Sequence, residues 1–219
     1  MILRHDRDDR ECHADEADWP SVVTFFGGDG GATLVAARWL LTAAHTAANL
    51  PRGHLVPIGG EEIRVTRVVS GPADLALVEL AEPAGVPVIA LHTEPDEVGQ
   101  VALLLGRGDY GNGVDGVLGV DHRLRCVTNR IDAADGLWLR LRFDRPPGCT
   151  ALEGAGGEGD SGGPALLRNG RSLTVAGVSS WQDHDGALGT YGCVEHYGRV
   201  SAHAAWIASV TAIASTSIR

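Results

Sequence analysis

Three stretches of the chain carry residue types that can do chemistry together: "LLTAAH" ending at His45, "DLALVEL" opening at Asp74, and "GEGDSGGP", Gly157 to Pro164, around Ser161. A serine hydroxyl is a poor nucleophile until a neighbouring imidazole takes its proton. The imidazole needs a carboxylate on its far nitrogen to hold the tautomer and stabilise the cation. His45, Asp74 and Ser161 supply those three groups. Each also has a bland reading alone: a satisfied core histidine, a turn aspartate after Pro72, a serine in a flexible loop. Glycine is the residue that loses most freedom on ordering, yet four glycines crowd around Ser161. That concentration points to a backbone shape that side chains would not tolerate.

A second arrangement of the same serine competes. Gly159 to Gly163 fits the Gly-x-Ser-x-Gly turn of α/β-hydrolases, which needs a strand before the serine and a helix after it. Asp183 or Asp185, followed by His196 or His203, would complete its serine-acid-histidine order. In this chain "GGPALL" follows the serine and reads as a strand, and "LLTAAH" and "DLALVEL" would have no role. An esterase of that type stays as the alternative.

The elements that must position these residues read as strands. "SVVTFF", "ATLVAARWLL", "IRVTRVV", "LALVEL", "QVALLLG", "LWLRLRF", "PALL" and "LTVAGVSSW" are short apolar runs punctuated by glycine and proline. "IRVTRVV" and "LWLRLRF" alternate apolar and polar residues, the period of a half-buried strand. Runs of this length and spacing predict an all-β barrel or sandwich. One segment differs: "SAHAAWIASVTAI" places Trp206, Ile207, Val210 and Ile213 on one helical face, with Ser201 as its N-cap. The chain therefore divides into a polar surface segment (1–17), a first lobe with His45 and Asp74 (18–95), a second lobe with Ser161 (96–200) and a C-terminal helix (201–219). The seam between lobes falls at Pro95–Gly99.

Composition narrows the partners. The net charge of −10 comes without a basic block, which argues against nucleic acid. No run approaches the roughly 18 apolar residues that span a membrane, and "MILRHDRDDRECH" lacks the apolar core of a secretory signal. Cys12, Cys126, Cys149 and Cys193 form no Cys-x-x-Cys pair, so two bridges or four thiols are expected rather than zinc. Asp183-His184-Asp185 reads as a solvated turn, and no metal or cofactor is expected.

"LLTAAH", "DLALVEL" and "GDSGGP", in that order, resemble the trypsin/chymotrypsin-like serine peptidases. "DWPSVVTF" is similar to an early strand of that family and "VSSW" to its substrate-binding strand, so the likeness runs from about residue 18 to 214. The resemblance implies two antiparallel six-stranded β-barrels with the site in the cleft between them. It implies a serine endopeptidase acting on peptides or proteins. His45 would be general base and acid, Asp74 its orienting partner and Ser161 the acyl-enzyme nucleophile. The N–H groups of Gly159 and Ser161 would form the oxyanion hole. Ser180 would meet substrate backbone and Asp74, and Trp181 would wall the pocket.

Departures from the family pattern concern specificity, activation and bridging. Ala155 stands where trypsin-like members carry an aspartate, and Gln182 where glycine is frequent. Glu158 lies beside the site. Glu195, at a pocket-wall position, suggests a Lys or Arg preference at P1; a Glu195 facing solvent would leave a pocket for medium apolar side chains. Asp160 matches the aspartate that receives a freed amino terminus in the family. Ile2 is the expected donor after processing, with local hydrogen bonds to Asp160 as the alternative. A chain whose terminus never reaches Asp160 would be a silent binding module of the same fold. Cys12–Cys126 and Cys149–Cys193 are the expected bridges, which would favour export; free thiols would favour the cytosol.

Overall fold

A computed structural model describes residues 1–212. The helical position Ile213 and the remainder of the 201–219 segment lie outside the described residues. The architecture is mostly β, in two barrel-like sheets with a C-terminal helix.

The first lobe is one antiparallel sheet in the order Val22–Thr24, Gly31–Ala36, Trp39–Ala43, Leu75–Leu80, Glu61–Ser70, Leu55–Ile58. Its core includes Val23, Phe25, Leu34, Leu40, Val78 and Leu80, all buried. The alternation in "IRVTRVV" is interrupted by a bulge between Val65 and Arg67. Ile63 and Val65 are buried ahead of the bulge; beyond it Val68 is exposed and Val69 packs against the cluster between the lobes.

The second lobe departs from the six-stranded expectation. Seven strands form a path in the order Arg125–Arg130, Val101–Gly106, Pro164–Asn169, Ser172–Asp183, Val194–Arg199, Trp138–Arg142, Ala133–Ala134. An eighth, Ala90–Leu91, pairs in parallel with Thr174–Val175. A separate four-stranded sheet joins Gly116–Gly119, Tyr110–Asn112, Ile2–Leu3 and Gly154–Ala155. Met1, Ile2 and Leu3, in the segment read as surface, are therefore buried. Three apolar residues open an otherwise polar stretch, and burying them is what fixes its course. "LWLRLRF" keeps its period: Leu139, Leu141 and Phe143 are fully buried.

The lobes share an apolar seam. Val22, Leu41, Leu75 and Leu77 of the first lobe pack in one cluster with Leu105, Leu166, Val175 and Val178 of the second. Full burial of each such side chain is worth about 1.5–3 kcal/mol, so the two halves are held as one body. The helix Val200–Thr211 closes the seam through Val200 and Ile207. Its N-cap is Arg199 rather than Ser201. The Ser201 hydroxyl instead donates to Glu97, which also takes both prongs of Arg199 at 2.9 and 2.8 Å. The buried Glu97 carboxylate thus takes the Ser201 hydroxyl, and the helix starts at Arg199 with no side-chain cap.

Neither expected bridge forms: all four cysteines are free. Cys12 lies in the core beneath Val127, whereas Cys126, one residue earlier on that strand, packs on the opposite face. Successive strand residues point to opposite faces, so the two sulfurs are on different sides of the sheet. Cys193 is buried against Ile2 and Phe143, and Cys149 lies near Arg4. Burial pushes the Cys12 and Cys193 thiols up to about 12 and Cys126 up to about 11. Titration with a thiol reagent in denaturant without reductant should count four thiols per chain; a count of two or fewer would restore a bridge.

Candidate active site

His45 sits in the short helix Ala44–Ala47 that follows the strand Trp39–Ala43. Asp74 sits at the head of the neighbouring strand Leu75–Leu80, and the pairing Ala43↔Leu75 brings them side by side. The turn is strained: Ala73 and Asp74 have φ of 50° and 54°. Aspartate tolerates that left-handed region better than most residues. In return the Asp74 carbonyl accepts from the Ala44 N–H at 2.6 Å. Its carboxylate accepts from the His45 N–H at 3.0 Å and pairs with His45 Nδ1 at 2.6 Å. The Ser180 hydroxyl adds a third bond, 2.6 Å to Oδ2.

These contacts set the charges. Burial pushes the Asp74 pKa upward, but the bonds from His45 and Ser180 outweigh it and hold the group below the usual carboxylate value. The His45 pKa is raised by its hydrogen bond to Asp74, against partial desolvation. With Nδ1 engaged, Nε2 is the ring nitrogen left for other chemistry.

Ser161 comes from the second lobe, on a loop clamped by glycines. The Gly30 and Gly31 N–H groups of the first lobe donate to the carbonyls of Gly159 and Ser161 at 2.8 and 2.7 Å. On the other side, Gly162 N–H donates to Ser179 O and Ser179 N–H to Gly163 O, both at 2.8 Å. Gly159 has φ of 87° and a Cβ there would lie 2.9 Å from Asp29 Oδ1. Gly162, at φ 85°, presses against Gly31 O and Thr42 Oγ1. The glycine cluster is thus an interlobe weld and not a flexible loop.

The N–H groups of Gly157, Asp160, Gly162 and Gly163 are all hydrogen-bonded, whereas those of Glu158, which is exposed, and of Gly159 and Ser161 donate to nothing among the described residues. The Ser161 hydroxyl likewise makes no hydrogen bond there, to His45 or to any other group, and it faces a cleft of about 130 Å³. After the serine the chain enters the strand Pro164–Asn169 rather than a helix, which removes the α/β-hydrolase alternative.

The cleft is bounded by Gly156, Glu158, Ser180, Trp181, Gln182 and Glu195. Ala155 is fully buried below it and pairs with Ile2. Glu195 is also buried, 4 % exposed, so its solvent-facing alternative does not hold. It accepts from the Gly156 N–H and Gln182 Nε2, each at 2.8 Å, and from the Tyr197 hydroxyl at 3.1 Å. Burial raises its pKa, and those three donors oppose the rise. Trp181 is 45 % exposed and its ring stacks on His196 at 3.7 Å. The spacing of "CVEHYG" gave no hint of that histidine's role as a backing for the tryptophan.

With Met1 in place, Asp160 is paired with the Met1 ammonium. The Met1 ammonium lies 2.7 Å from Asp160 Oδ2, both residues being 1 % exposed, and 2.6 Å from Asp109 O. Gly157 and Gly108 N–H groups complete the carboxylate at 2.8 Å each. Ile2 lies one step along, against Gly189 and Cys193.

The family model described as Trypsin matches residues 10–207. "Serine protease SSP1" from Scolopendra subspinipes is 28 % identical over 83 % of this chain and 73 % of its own length. "Snake venom serine protease catroxase-1" from Crotalus atrox is 26 % identical over 92 % of this chain and 84 % of its own.

Proposed function

The chain belongs to the trypsin family, and on that premise we propose that it is a serine endopeptidase in which His45, Asp74 and Ser161 work as one unit. The observation that carries the reading is the Asp74 carboxylate, held at once by the His45 N–H, His45 Nδ1 and Ser180. A carboxylate so bound fixes the imidazole tautomer, with Nε2 free to take the Ser161 proton. Ser161 Oγ attacks the scissile carbonyl, and the unpartnered N–H groups of Gly159 and Ser161 receive the developing oxyanion. His45 then delivers the proton to the leaving amine, and water repeats the cycle on the acyl-enzyme.

Glu195 supports a basic P1 residue, since a buried carboxylate without a cation is the group a P1 cation would complement. In a chain whose free amine is that of Met1, the ammonium balances Asp160 behind the serine loop, which supports an ordered site. A fluorophosphonate probe tests the core of the reading. Wild-type protein should carry the adduct on Ser161; a folded wild-type chain that stays unlabelled would instead be a binding module.

The pH profile follows from His45. The base acts only when neutral, so kcat/KM rises with pH through the His45 pKa. The Asp74 bond raises that pKa above 6.5, and the midpoint of the acid limb should lie above it too. In Asp74→Asn the midpoint should move down, and activity should fall by about 10⁴. A midpoint unmoved by that substitution would dissociate Asp74 from the base.

A further inference from the structure

Resting on the reading that Glu195 selects a basic P1 side chain, we propose that Gln182 is a displaceable cap on Glu195 whose exchange for substrate favours lysine over arginine. The two residues face each other across adjacent strands, in the register Gln182↔Glu195. The amide is held at both ends. Its Nε2 donates to Glu195 Oε1 at 2.8 Å and lies 3.5 Å from Gly156 O. Its Oε1 accepts from the Gly189 N–H at 3.0 Å. Gln182 therefore bridges from the wall beside Gly156 to the Gly189 loop, over the carboxylate that the cleft would otherwise present.

The two carboxylate oxygens of Glu195 are not equivalent. Oε2 already accepts from the Gly156 N–H and the Tyr197 hydroxyl, which fills both of its lone-pair directions. Oε1 has one partner, Gln182. An incoming cation can only take over that single position. The acceptors that now share the Gln182 NH2 group, Glu195 Oε1 and Gly156 O, are those an ammonium would inherit. Nε2 of Gln182 marks where the lysine nitrogen would settle.

Arginine is served less well by the same position. Its planar fork gains its advantage by engaging both oxygens of a carboxylate in parallel. Here the second oxygen is committed to a backbone N–H and a tyrosine. A guanidinium would bind through one prong and leave other donors facing a cleft of about 130 Å³. An apolar P1 side chain has no group to replace the amide and leaves the cap closed.

The test uses peptide substrates identical except for Lys, Arg or Met at P1, with wild type, Gln182→Ala and Glu195→Gln. Wild type should prefer Lys to Arg by roughly tenfold in kcat/KM, the worth of one charge-assisted hydrogen bond. Gln182→Ala removes the competing donor and widens the entrance. Both basic substrates should improve, arginine more, bringing the ratio within about twofold. Calorimetric binding of n-butylammonium and n-butylguanidinium to the same proteins reads the pocket without turnover and should show the same order. A Lys/Arg ratio unchanged by Gln182→Ala, or arginine preferred by wild type, overturns the cap. Equal use of Met and Lys by a wild type that still reacts with fluorophosphonate overturns the Glu195 reading, and the cap with it.

Discussion

Ser161→Ala is expected to abolish fluorophosphonate labelling and lower kcat by about 10⁶-fold, and His45→Ala to lower it as far. Combining the two should cost nothing more, because the groups act as one device and either loss disables it. The expectation draws on the position of each residue. His45 is tied to the first lobe by its own N–H and by Nδ1, so its ring has little freedom to serve any other nucleophile. Ser161 is tied to that same lobe through its carbonyl and the Gly31 N–H. A chain retaining Gly159 and Ser161 N–H groups should keep a residual rate some 10³–10⁴ above water. The measurement is turnover of a peptide substrate together with labelling on the same samples. A Ser161→Ala variant with near wild-type turnover would remove the acyl-enzyme from the mechanism.

How far the sequence alone reached is plain residue by residue. The pairing of His45 with Asp74 and the constrained setting of Ser161 were legible because their neighbours carry backbone constraints: apolar runs that end in loops, and glycines where a Cβ would strike the other lobe. The strand alternation of "LWLRLRF" was legible since the period of a sheet is local. Long-range choices were not. Whether Cys12 and Cys126 could join depended on which face of the strand Arg125–Arg130 each occupied, and spacing does not encode that. Ser201 looked like an N-cap by type, yet Glu97, over a hundred residues away, claimed its hydroxyl. The burial of Met1, Ile2 and Leu3 in a highly charged segment likewise depends on strands that begin at Tyr110 and Gly154. The extra strands of the second lobe have the same cause: Ala90–Leu91 is too short to announce itself, and it exists only because the Thr174 strand offers an edge.

The second large effect is expected at the amino terminus. Relative to a chain beginning at a free Met1, one extended by two residues, or one with that α-amino group acetylated, should lose about 10²–10³-fold in kcat/KM. The Met1 ammonium and Asp160 are a fully buried pair at 2.7 Å. Breaking such a pair by removing one charge costs about 3–5 kcal/mol, and the lower part of that range is roughly two to three decades at 1.4 kcal/mol each. The loss falls on the site because Asp160 lies between Gly159 and Ser161, and its carboxylate also takes the Gly157 N–H. An unpaired Asp160 would turn outward and carry the Gly159 and Ser161 N–H groups with it. Chain length discriminates Met1 from Ile2. A chain beginning at Ile2 would present its ammonium one residue short, about 3.3 Å along a strand. Sliding the strand to recover that distance would turn every side chain to the opposite face, expelling Ile2 from its contact with Gly189 and Cys193. The Ile2-terminated protein should therefore be as impaired as the acetylated one, with intact mass confirming each terminus. Full activity from the Ile2 form alone would give the role to Ile2, and full activity in every form would separate Asp160 from the terminus altogether.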